Sequence, residues 1–312
     1  MRRAWLALIA LLVPLTSSVA LAQAAHTPES ITVTGTRSRE VLQGFVQSFA
    51  APTRTIGKLA RWSDGICLIV AGLPRGFAQF LGQRVKDTAA RVGAPVNGSM
   101  TCKPNIEIAF TTAPQALLDR IKRKNAVLLG YHDSRKQLDQ LATVTHPVQA
   151  WYTTATQDLR GNIQVDGGRA SGMGMEVTYL CNPGIPDMIC TMRLPGAHTA
   201  NVTGSRLGDG QRSVLYHVII VADPAKLFEY EMGALADYIA MLALTQLGSL
   251  DACQQLPSIV NMLAKDCDRK ADALTENDIA YLHALYKAAP DQTLGTQQDQ
   301  MAYQMEQELK GR

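Results

Sequence analysis

The chain has 312 residues, 46% of them hydrophobic and 18% charged, which is ordinary for a globular chain with a sizeable core, as one large domain or two small ones. Its 30 Lys and Arg stand against 27 Asp and Glu, and without Arg2 and Arg3 the balance is 28 to 27. So near neutrality there is no electrostatic reason to expect nucleic acid, and no segment after the N-terminus is long and apolar enough to span a membrane.

The first residues, MRRAWLALIALLVPLTSSVALAQ, read as a secretory signal peptide over residues 1–22. Arg2 and Arg3 form the basic region, a short apolar run follows, and Ala20-Leu21-Ala22 is the small-x-small cleavage site before Gln23. The chain is therefore expected in the periplasm or outside the cell. Residues 23–60 read as a polar leader carrying one short strand, ITVTGTR, at 31–37. That strand resembles the segment near the N-terminus of TonB-dependent outer-membrane receptors, a likeness that implies strand addition to a partner's sheet edge. The plain reading of alternating Thr and Val is a strand and a turn.

GICLIVAGL at 65–73 is a continuous apolar run bounded by Gly and Pro and predicts a buried strand. Residues 74–92 predict a helix with Phe77, Phe80, Leu81, Val85, Ala89 and Val92 on its core face and Arg84, Lys86 and Asp87 outward. NIEIAF at 105–110 alternates as a strand, residues 113–123 form a short amphipathic helix, and 124–139 are polar apart from the apolar 126–129. Further strands are expected at 149–155, 174–181, 188–194 and 213–221. CNPGIPDMIC joins two of them as a hairpin turn, and GSRLGDGQ at 204–211 is another turn.

Asp223-Pro224 is a helix start, with Asp as N-cap and Pro in the first turn. From there to Gly248 the chain predicts one long helix, apolar nearly all round from Gly233 to Leu247 and so buried at the centre of the domain. Thr275 and Asp278 are spaced as a capping box for a second helix with Ile279, Leu282, Leu285 and Tyr286 inward, stopped at Ala289-Pro290. The tail at 291–312 carries Met301, Met305 and Leu309 on one face of a C-terminal amphipathic helix, docked on the body or offered to a partner.

Six cysteines, Cys67, Cys102, Cys181, Cys190, Cys253 and Cys267, follow the cleavage site. An even count in an exported chain points to disulfides, although fifteen connectivities are open. Proximity pairs Cys181 with Cys190 and Cys253 with Cys267, leaving Cys67 for Cys102. Without a C-x-x-C pair or paired histidines, a metal is not expected.

Three stretches together resemble a family of secreted proteobacterial proteins of unknown function with a zincin-like, metallopeptidase-related fold. They are LARW before ICLIV with its helix and NIEIAF, the central ADYIAMLALTQLG, and LPSIVNMLAKDCD followed by LTENDIAYLHALYKAAP. The resemblance implies an α+β domain over 61–290, a mixed sheet packed on a central buried helix and stapled by disulfides. It also implies H-E-x-x-H on that helix, two histidines on one face for zinc and a Glu to activate water. Here Asp237 and Met241 occupy the histidine positions and Tyr238 that of the glutamate, so the usual site is degenerate.

The candidates for an unorthodox site are Asp237, the one acid in the apolar helix, Tyr238 beside it, and His217 in VLYHVII, which could face the same cleft. Asp237 reads equally as a hydrogen-bond anchor and His217 as a satisfied sheet histidine. His132, His146 and His198 are expected at the surface and His283 half-exposed. There is no G-x-S-x-G, and Ser171 in GRASGMG has no recognisable base. The expectation is a non-catalytic envelope protein that binds a peptide, a protein or a wall component without cofactor. The alternatives are a peptidase-like hydrolase and an adaptor working through residues 31–37.

Overall fold

The computed structural model describes residues 36–99, 101–167, 175–180, 189–202 and 208–311. Its strands are β1 (Leu68–Ala71), β2 (Ile106–Phe110), β3 (Val148–Gln157), β4 (Ile163–Val165), β5 (Glu176–Leu180), β6 (Ile189–Arg193) and β7 (Arg212–Ala222). Five of them form one mixed sheet in the order β1-β2-β7-β3-β4. β1, β2 and β7 run parallel, whereas β3 runs antiparallel to both β7 and β4. β5 and β6 pair as a separate antiparallel ribbon, the hairpin expected around the Asn-Pro-Gly turn.

The helices are α1 (Thr36–Phe49), α2 (Arg75–Arg91), α3 (Pro114–Asn125), α4 (Arg135–Leu141), α5 (Met232–Leu244), α6 (Glu276–Lys287) and α7 (Leu294–Lys310). Strand alternation divides the sheet's side chains between two cores. Ile106, Ile108, Phe110, Val218 and Ile220 point to the face covered by α1, α2, α5, α6 and α7. Trp151, Ile219 and Val221 point to the other face, where Leu118 of α3, the 3-10 turn Ala126–Leu129 and the β5–β6 ribbon cover them. Asn125 fixes that ribbon by donating to the Thr178 carbonyl and hydroxyl, each at 2.8 Å. The class is α+β with a mixed sheet, as expected, and α5 lies against the sheet, buried on every side from Ala234 to Leu244.

The long helix expected from Asp223 to Gly248 is instead a 3-10 turn, Pro224–Lys226, followed by the 13-residue α5. Asp223 does cap, but it caps that turn, accepting from Ala225 N–H. Burial of Leu227 anchors the chain before the helix restarts at Met232. At the other end Thr245 turns extended, which lets Leu247 bridge to Ala50 and Gly248 N–H reach the Phe49 carbonyl at 2.9 Å. Tertiary pairing to α1 thus ends the helix three residues before its glycine.

The leader reading at 23–60 also needs correction. Residues 36–49 form α1, whose Phe45 and Phe49 stack on Tyr281 of α6 at 6.1 and 4.5 Å between ring centroids. Residues 50–60 continue as buried chain, and Leu59 and Ala60 belong to the main core. The domain therefore begins well before residue 61, and α1 packs on α7 with Arg39 paired to Glu306. The C-terminal helix docks on the body, since Met301 and Met305 are fully buried.

In α2 the core face is Leu81, Val85, Thr88 and Ala89, while Phe77 and Phe80 are each about half exposed. His132 is buried rather than exposed, held by Nδ1 on the Gly130 carbonyl at 2.9 Å. His283 is half-exposed as expected. Cys67–Cys102 and Cys253–Cys267 are disulfides, as the proximity argument had them, and Cys190 is also disulfide-bonded. The expected signal peptide, residues 31–35 of the leader strand, Ser171, Cys181 and the first part of the turn at 204–211 lie outside the described residues. No helix among the described residues is long and apolar enough to cross a membrane.

Candidate functional site

The residues at the zincin ligand positions do not line a cleft. Asp237 is 1% exposed, and Tyr238 and Met241 are equally deep in the helical core. Asp237 receives Arg84 of α2 in a two-point pair, Nε to Oδ1 at 2.5 Å and Nη2 to Oδ2 at 2.9 Å. Its Oδ2 also accepts from Leu274 N–H at 3.0 Å. One carboxylate therefore ties α2, α5 and the entry to α6 together, and the hydrogen bond that Arg84 donates to Asp237 holds the guanidinium pKa above its ordinary value. Arg84, expected outward, reaches back along its stem to make this pair.

Tyr238 sits in apolar surroundings, and burial pushes its phenol up, away from any role as a base near neutrality. His217 does not share a face with Asp237. Strand parity sets it with Ile219 and Val221, on the side of the sheet away from α5. Its Nε2 meets Glu107 Oε1 at 3.1 Å and its Nδ1 is buried without a partner. The sheet therefore separates Asp237 and Tyr238 from His217, and the three form no site. Among the described residues no group of three His, Cys, Asp or Glu is placed to hold a metal.

Among the described residues, accessible backbone lies along the outer edge of β3. β7 pairs with β3 over its whole length, whereas β4 pairs only with Ala155–Gln157. Asp166 N–H donates to the Thr154 carbonyl at 2.8 Å, so Thr154 directs its backbone groups outward. By the two-residue period of a strand, Ala150 and Tyr152 do the same. No strand among the described residues pairs with that side of residues 148–153.

A groove of about 460 Å³ runs along this edge. Gln149 to Tyr152 form its floor, Leu129 to Tyr131 one wall, and Ala51 to Arg54 with Gln246 to Gly248 the other. Each wall belongs to a different layer. The first is fixed by Thr153, whose hydroxyl donates to the Val127 carbonyl, and the second by the pairing of α1's end with the chain after α5. Gly130 is required here: its φ is +101°, and a Cβ would stand 2.9 Å from the Tyr152 carbonyl. The Tyr152 hydroxyl donates inward to the Leu242 carbonyl at 2.9 Å, which pins the floor to α5. Gln246 lines the groove with a buried Oε1 that has no hydrogen-bond partner.

A second cavity of about 420 Å³ continues past Tyr131 beside β4. Asp166 borders it, 4% exposed, accepting from the Thr154 hydroxyl at 2.8 Å and the Thr156 hydroxyl at 3.1 Å. Burial pushes its carboxyl up, against the opposing pull of these hydroxyls. The sequence reading passed over this region because its residues match no catalytic motif. The available signal was Thr153, Thr154 and Thr156 in mid-strand followed by Asp166 before Gly167, polar residues where a half-buried strand needs none.

Comparison with known protein families, with characterised proteins and with solved structures found no match for this chain.

Proposed function

We propose that the protein is an exported, non-catalytic binding protein of zincin-like ancestry that captures an extended peptide along β3. The observation that carries this reading is the unpaired outer edge at Ala150 and Tyr152, set at the bottom of a groove with walls from two layers. Ala150 offers an outward N–H donor and carbonyl acceptor of the kind strand addition uses for affinity, while the Tyr152 carbonyl beside it abuts Gly130. The walls leave room for side chains on both faces of the added strand, which is where specificity arises. Export is supported by the N-terminal sequence pattern and agrees with cysteines held as disulfides.

The zincin-like part rests on the sequence resemblance, together with an antiparallel edge strand and a buried helix on the same sheet. An edge that once presented a peptide to a metal can outlive the metal chemistry.

A random library of peptides about nine residues long, panned on the protein and counter-panned on Ala150→Pro, tests the reading. Proline is accepted where a strand's N–H faces outward, so the variant keeps the β3–β7 ladder and loses one donor at the edge. Peptides enriched on the parent are expected to lose binding to the variant. N-methylation of such a peptide at alternate residues should abolish binding, and at the intervening residues leave it intact. Enrichment on both proteins alike, or tolerance of N-methylation at every position, would remove the reading.

A further inference from the structure

The groove does not end blindly. At Thr154 the edge passes to β4, because Asp166 N–H takes the Thr154 carbonyl. A chain paired with Ala150 and Tyr152 therefore runs out beside Asp166, at the mouth of the second cavity. Tyr131 borders both that cavity and the groove. Among the described residues the charged side chains lining it are Asp133 and Asp166, and none is Lys or Arg. Gln164, Gln211, Thr156 and Thr199 supply further polar surface and no positive charge.

Asp166 is the more telling of the two acids. Its carboxylate, buried to this depth, is held by the neutral Thr154 and Thr156 hydroxyls and gains a charge partner once a cation faces it. Asp133 is exposed at the rim and adds attraction at longer range. At about 420 Å³ the cavity has room for one long side chain.

We infer that the second cavity is a specificity pocket for a Lys or Arg side chain of the peptide bound along β3. The inference rests on the strand-addition reading and names the ligand class that reading leaves open. An acidic side chain at the same position is excluded by two like charges, so the pocket discriminates by repulsion as well as attraction.

The test uses the full chain and a series of fluorescent Thr/Val peptides of about nine residues, in which a single residue is moved along the sequence. The residue is Lys, norleucine or Glu, and binding is read by anisotropy. At one position Lys is expected to bind at least about tenfold tighter than norleucine, and Glu more weakly than either. The preference should shrink with added salt and vanish in Asp166→Asn. Asp133→Asn, at an exposed site that cannot disturb folding, should lower it in part.

Equal affinity for Lys and norleucine at every position would overturn the pocket while leaving strand addition in place. Absence of binding by any peptide of the series would remove strand addition, and the pocket with it. A Lys preference that persists unchanged in both Asp variants would place the selecting charge elsewhere and overturn the assignment.

Discussion

Arg84 and Asp237 meet across two packed helices in a two-point pair whose members differ sharply in exposure, 47% for the arginine side chain and 1% for the aspartate. That asymmetry decides which half is harder to lose. Removing Asp237 frees a guanidinium that water can reach. Removing Arg84 strands a carboxylate in the core. Arg84→Met is therefore expected to cost about 3 kcal/mol and Asp237→Asn about 1–2 kcal/mol, so that the more exposed residue is the costlier one to delete. The double variant Arg84→Met/Asp237→Leu should be less destabilised than Arg84→Met alone. Urea unfolding of the parent, Arg84→Met, Asp237→Leu and the double variant closes a double-mutant cycle that checks this, and a double variant as unstable as the sum of those singles would refute it.

Asp166 makes stability depend on pH in a definite direction. Burial raises its carboxyl pKa in the folded protein above the unfolded value. A group of that kind contributes stability that is fully present below the unfolded pKa and lost as pH rises through the folded one. Asp166→Asn has no proton to lose. It is expected to melt at a higher temperature than the parent at about pH 8, with the gap closing towards about pH 4. Asp278 is shifted the same way and is common to both proteins, so it cancels in the comparison. A gap that widens on acidification would contradict the assignment.

Rebuilding H-E-x-x-H on α5 should not rebuild a metal site. Positions 237, 238 and 241 are at most 1% exposed. Asp237→His with Tyr238→Glu and Met241→His buries a new carboxylate and breaks the Arg84 pair, a loss of several kcal/mol. The expected outcome is poor folding by circular dichroism and no zinc by elemental mass spectrometry. A folded triple variant carrying one zinc per chain would show that the helix can still open onto a cleft.

The two described disulfides close loops of different length, with sequence separations of 35 and 14. Chain entropy then assigns about 4 kcal/mol to Cys67–Cys102 and about 3 kcal/mol to Cys253–Cys267. Paired Cys→Ser substitutions should lower stability in that order under denaturant. The reverse order would mean that packing around the shorter loop outweighs the entropy of the longer one.

Thr275 caps α6 through a reciprocal arrangement in which Asp278 also holds Ser258 and the Ile259 N–H. Thr275→Ala is expected to cost about 1–2 kcal/mol, and thermal melting reads it directly. An unchanged melting temperature would mean that the Asp278 bonds alone hold this end of the helix.

Strand and helix positions were largely legible because their period is local. NIEIAF alternates, and residues 275–286 carry both a cap and a stripe, so β2 and α6 follow from neighbours a few residues apart. The full burial of α5 was legible from its composition, and proximity in the chain was enough to pair Cys253 with Cys267. What ends α5 was not, because Thr245 leaves the helix so that Leu247 can bridge to Ala50 just after α1, about two hundred residues earlier in the chain. Nor could sequence place Arg84 on Asp237, or His217 on the far side of the sheet. Both depend on which faces of α2, α5 and β7 the tertiary packing brings together. The groove belongs wholly to that second level. An open strand edge is made by backbone groups that every residue carries, so only the arrangement of β4, α1 and the turn before Gly130 determines that Ala150 and Tyr152 are left unpaired.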